Sequence, residues 1–188
     1  MPNFPEDGLS RRRLLGLAVT AAASTLLRAE PLAARPANTT APEVSSVMEK
    51  LSAYMSDAGS RALPGEVFEK TKQHILDTLA AMIAGSQLPP GQAALKFAAD
   101  YGGKEVATVV ASRIVCGPIE AAMTNGVLAH SDETDDSNPA SQSHPGCAVV
   151  PAALATGERF GINGNRLLRA VALGYDVGPR VTITLGGQ

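Results

Sequence analysis

"LPGEVFEKTKQHILDTLAAMIAG", Leu63 to Gly85, reads as one long amphipathic helix and sets the class of the whole chain. Pro64 suits a helix start, where its missing N–H costs nothing and its fixed φ is already helical. Val67, Phe68, Ile75, Leu79, Met82 and Ile83 recur at three- and four-residue spacing, the mark of a helix face turned to a core. Gly85 fits the position just past the helix end. His74 stands beside the stripe, and a lone helical histidine is more often a packing or surface residue than a catalyst.

The same period returns on both sides. Val44, Val47, Met48, Leu51 and Met55 predict an earlier helix, and "PPGQAALKFAADYGG" a short one closed by its double glycine. "EVATVVAS" is β-branched and brief, a short strand or an extended packed segment. Pro118 then opens a helix through "NGVLAHSDETDDS", expected to run on to Ser137. After the loop "NPASQS", Pro145 starts another, with Pro151 inside it as an expected kink and Gly161 past its end. Asn163 is the expected N-cap of a final helix carrying "RLLRAVALGYDVGPRV". The fold class is therefore mainly α, several packed helices around one core.

Composition agrees. The chain has 188 residues, 45% hydrophobic, 18% charged and 4% aromatic with no Trp, which implies a core of Ala, Val, Leu, Ile and Met. A formal net charge of -2 gives none of the clustered basic surface that nucleic-acid binding needs. Cys116 and Cys147 form no C-x-x-C pair, which argues against a zinc or redox motif. Two buried free thiols are expected in preference to a disulfide.

The first residues differ from the rest. "SRRRLLGLAVTAAASTLLRAEPLAARPA" passes from Arg11–Arg13 into a weakly apolar run, then to small residues around Ala33, Ala34 and Ala37. That order is a secretory signal, and the run falls short of the ~20 apolar residues of a membrane span. The paired arginines resemble a twin-arginine signal, which implies the export machinery of that pathway as a partner and a periplasmic location. Residues 1–37 are read as signal, 38–43 as linker and 44–188 as the helical domain.

The stretch "LAHSDETDDSNPASQSHPG", Leu128 to Gly146, concentrates the chemistry. On a helix running to Ser137, His130, Glu133 and Ser137 share one face, and the loop can return His144 to its open end. A carboxylate, a hydroxyl and two imidazoles in one pocket suit proton transfer near neutral pH. Four acids at a helix C-terminus oppose the macrodipole, which argues for a purpose. A solvated helix end is the plain alternative. A calcium loop fails because Ser137 and Ser143 stand where glycine and glutamate are required. An Asp-Asp-x-x-Asp magnesium site fails on the order of Asp132, Asp135 and Asp136.

"NGVLAHSDETDDS" followed by "SHPGCAVVPAALATGE" resembles the signature of the MmgE/PrpD family, whose members include 2-methylcitrate dehydratases, cis-aconitate decarboxylases and iminodisuccinate epimerases. "LPGEVFEKTKQHILDTLAAMIAG", "ATVVAS" and "LLRAVALGYDVGPRV" match in order and spacing, so the resemblance spans roughly Val44 to Val181. It implies the N-terminal portion of an all-helical domain, a separate α+β lid and a homodimer. It also implies no metal or cofactor and a lyase that moves a proton beside a carboxylate in a small polycarboxylate. By the same resemblance Glu133, Ser137, His144 and His130 are the catalytic candidates and Asp136 the substrate-binding one. Glu133 replaces the motif's first Asp and Ser137 its Thr. Asp135 is read as shaping the loop. The five lysines, Lys50, Lys70, Lys72, Lys96 and Lys104, all precede the motif, so the cationic lid residues of the family are expected beyond this sequence. The rival reading is a catalytically silent helical interaction module.

Overall fold

The computed structural model describes residues 44–186. The expected signal, its cleavage region and the linker fall outside them. The described chain is six helices and one two-stranded ribbon: α1 (Ser46–Ala58), α2 (Gly65–Gly85), α3 (Pro89–Tyr101), β1 (Ala107–Thr108), β2 (Val115–Cys116), α4 (Pro118–His130), α5 (Pro145–Phe160) and α6 (Gly164–Thr184). None of these helices is long and apolar enough to cross a membrane.

The helix boundaries follow local chemistry. Ser45 caps α1, its hydroxyl accepting from the Met48 N–H at 3.3 Å. Asn163 caps α6 in the same way, accepting from Arg166 at 3.0 Å. Pro118 and Pro145 stand in the first turns of α4 and α5. Gly161 ends α5 at φ 61°, a left-handed conformation that glycine adopts without steric cost. Both α5 and α6 run through an internal proline, Pro151 and Pro179.

Helix α4 is the centre. It packs on α5, α2 and α3, while α6 packs on α5 and α2. Met82, Val109, Cys116, Leu128, Val150 and Val171 are fully buried at this junction. The α2–α4 approach is close enough that a Cβ on Gly85 would strike the Leu128 carbonyl. Gly85 is thus the last helical residue of α2 and a contact point, whereas a left-handed cap was expected; the cap residue Ser86 is right-handed. The ribbon pairs Ala107 with Cys116 and Thr108 with Val115, antiparallel. Asn125, buried on α4, holds its edge. The amide accepts from the Val110 N–H at 2.9 Å and donates to the Thr108 carbonyl at 3.0 Å.

Two expected faces are met only in part, although Ile75, Leu79 and Met82 of the α2 stripe do pack on the core. On α2 the buried positions are Thr71, Thr78, Ala81, Met82 and Gly85, and Val67 and Ile83 are exposed. The threonines bury cheaply because their hydroxyls bond back into the helix, to the Val67 and His74 carbonyls. Helix α1 buries no residue among those described, although Val47, Met48 and Met55 keep helical spacing. The larger correction is α4. It ends at His130, seven residues short of Ser137.

Candidate active site

Helix α4 stops where its acids begin. Ser131 bonds back to the Val127 carbonyl at 2.6 Å, and Glu133 follows at φ 51°, a left-handed backbone that turns the chain out of the helix axis. Continuing the helix would stack four carboxylates on the negative end of the macrodipole. The turn removes that conflict and lets Asp135 fold inward. A tight loop then closes on itself. Asn138 and Ser143 exchange backbone hydrogen bonds at 2.8 and 3.4 Å, and the Asn138 side chain accepts from the Ser141 N–H at 3.1 Å. The loop delivers His144 to the start of α5, beside His130.

Asp135 lies at the centre, its side chain 0% exposed. His130 Nδ1 sits 3.0 and 3.2 Å from its two carboxylate oxygens. His144 Nδ1 is 3.6 Å from the first of them, an ion-pair rather than a hydrogen-bond distance. The two rings stand 5.2 Å apart at 59° and are half open to solvent. Cys147, one turn into α5, donates to the His144 carbonyl at 3.1 Å. Burial, then the neighbouring Asp135, pushes its thiol up to about 11. Both cysteines are free, Cys116 buried as expected and Cys147 only partly so.

A second cluster adjoins the first. Asp136 Oδ1 accepts the Gly146 N–H at 2.9 Å, and Oδ2 lies 3.4 Å from His74 Nδ1. His74 stacks on Tyr175 of α6, ring centroids 4.5 Å apart. The Tyr175 hydroxyl is buried beside Asp136 and Thr78, yet makes no well-formed hydrogen bond among the described residues. Burial, with Asp136 next to it, drives this phenol well above the ordinary tyrosine range. The three histidines of the chain thus all face two consecutive aspartates.

Of the expected site residues, His130 and His144 come together. Glu133 and Ser137 are exposed on the loop, and with α4 ended they no longer continue the His130 face. Asp136, expected to meet substrate, turns both oxygens to protein groups. Asp135, read as shaping the loop, supplies the buried carboxylate. Its five-residue spacing from His130 matches no helical period, so nothing in the pattern singled it out. His74 carried only its position beside the α2 stripe as a signal. Donor atoms of His130, Asp135 and His144 lie within 4.8 Å of one another, the ligand types of a transition-metal site, although the three already engage each other.

The sequence profile of the MmgE/PrpD N-terminal domain matches residues 49–188. The chain belongs to the MmgE/PrpD family. Among curated relatives, this MmgE/PrpD chain is 27% identical over 149 residues to cis-aconitate decarboxylase-like protein oryM of Aspergillus oryzae, covering 76% of the chain and 31% of that protein. It is 26% identical over 149 residues to cis-aconitate decarboxylase of Aspergillus terreus, covering 77% of the chain and 30% of that protein. The chain therefore spans about a third of the length of these relatives. The mainly helical architecture is that of an N-terminal helical portion of this family.

Proposed function

We propose that this chain carries the proton-transfer groups of an MmgE/PrpD-type lyase acting beside a carboxylate of a small polycarboxylate. The observation that carries the reading is Asp135, buried between two half-exposed imidazoles. The hydrogen bond from His130 Nδ1 to Asp135 selects the tautomer with its proton there, and His144 turns the same nitrogen to that carboxylate at 3.6 Å. The other ring nitrogen is then free to take or return a substrate proton. His144 is the main candidate for that exchange and His130 its support. Glu133 and Ser137 belong to the proposal as exposed groups on the loop that meet the substrate. Dehydration of 2-methylcitrate is the leading reaction, with decarboxylation or epimerisation as the alternatives within the family. The names of the two fungal relatives support testing cis-aconitate first.

The same proposal includes a homodimer and cationic lid residues from sequence beyond this chain, which would pair with the substrate's carboxylates. The test is turnover of cis-aconitate, 2-methylcitrate and iminodisuccinate by the full-length enzyme and by His144→Ala at matched folding. General acid–base groups contribute ~10²–10⁴-fold, and a loss of that order is expected. Full activity in His144→Ala sinks the reading.

A further inference from the structure

Helix α5 begins without a cap of its own. The residue at its N-cap is His144, which makes no side-chain capping bond, and Pro145 brings no N–H. The first backbone donor of the helix is therefore Gly146, and it is taken by Asp136 Oδ1 at 2.9 Å, from ten residues upstream. The turn is also closed from two other elements. A Cβ on Gly146 would come within 2.5 Å of Asp136 Oδ1, 2.8 Å of Thr78 Oγ1 and 2.9 Å of the Tyr175 hydroxyl. Only glycine lets α2, α6 and the acidic loop meet on this backbone. His74 then holds the outer oxygen of Asp136 at 3.4 Å.

We infer that Asp136 is a positioning residue for His144, gripping the first turn of α5 through the Gly146 N–H while His74 grips Asp136. This rests on the reading of His144 as a proton-transfer group. It assigns Asp136 to the protein's own scaffold rather than to substrate. A displacement of about 1 Å at a reacting group can cost ~10²-fold, so the anchor matters to rate as well as to folding.

The imidazole ¹H–¹⁵N signals of the full chain test the placement directly, since His74→Gln, His130→Gln and His144→Gln assign all three. Asp136→Asn keeps the accepting oxygen, so it should shift the His74 signals and leave those of His144. Asp136→Ala should move the His144 signals. Where Asp136→Ala does not fold, Asp136→Glu carries the same test, because it retains the charge but displaces the oxygen by one methylene. His144 signals at wild-type positions in the folded Ala or Glu variant overturn the inference, even if the melting temperature falls. In the full-length enzyme Asp136→Ala should lower kcat about 10-fold or more with KM within about 3-fold, and Asp136→Asn should recover most of it. A raised KM at unchanged kcat makes Asp136 a substrate contact and also overturns it. Full activity in His144→Ala would remove the catalytic reading alone, since the imidazole signals report position whatever the reaction.

Discussion

His130 closes helix α4 and His144 opens helix α5, yet their rings stand 5.2 Å apart because both reach the same carboxylate, Asp135. Replacing Asp135 by Asn keeps the shape and removes the charge. Either face of the amide then fits one imidazole and opposes the other, so the tautomer is no longer selected. Turnover in the full-length enzyme should fall by about 10²-fold or more with a small change in melting temperature. Asp135→Leu should instead unfold the loop, because two imidazoles would face an apolar side chain. Denaturant midpoints of the two variants separate the effects.

Glu133 occupies a left-handed backbone at φ 51°, which costs a residue with a Cβ of order 1 kcal/mol. Glu133→Gly should therefore leave stability unchanged or raise it by up to about 1 kcal/mol, and Glu133→Val should lower it. If the carboxylate also serves the reaction, Glu133→Gly and Glu133→Gln should lose turnover alike. Equal turnover in both and in wild type would remove Glu133 from the site.

Gly85→Ala tests the central contact of the fold. The added methyl meets the backbone carbonyl of Leu128, which has no rotamer with which to give way. A destabilisation of about 3 kcal/mol or more is expected, at the upper end for overpacking. Thermal unfolding of Gly85→Ala beside Ala84→Gly, at a neighbouring exposed position, checks it.

Cys147 predicts a pH effect. Its thiol is raised to about 11 by burial and by Asp135, against an ordinary value of 9.0, so the folded state holds this proton more tightly than the unfolded one. Stability from this group is complete below about 9 and is lost as pH rises from there through about 11. The urea midpoint should decline over that window more steeply in wild type than in Cys147→Ala. Alkylation by iodoacetamide at pH 7 should be slow for the same reason.

Arg11 and Arg12 are proposed to direct export through the twin-arginine pathway. Replacing both by lysine should hold the protein in the cytoplasm, followed by cell fractionation, and mature periplasmic protein should lack the first 34 to 37 residues, beginning between Arg35 and Asn38. Unchanged export sinks the assignment.

The helical class was legible in the sequence at Leu63–Gly85 and in the proline, asparagine and glycine signals at Pro118, Pro145, Gly161 and Asn163. Periodicity and capping are local, and each needs only its own few residues to act. The family signature was legible for a related reason, since its residue types keep their order along the chain. Which face of α2 is buried was decided by tertiary packing. Thr71 and Thr78 meet the core because their hydroxyls are satisfied within the helix, while the more apolar Ile83 is left outside. The end of α4 at His130 was decided in the same way. A helical pattern allows Glu133 and Ser137 to follow His130, but Asp135 gains two imidazole partners only if the chain turns out of the helix first. Those partners come from α4 and from α5, fourteen residues apart in sequence, and His74 reaches Asp136 across sixty-two. Spacing along one element cannot register a carboxylate whose partners lie on others, so the residues of the acidic stretch were visible and their division of labour was not.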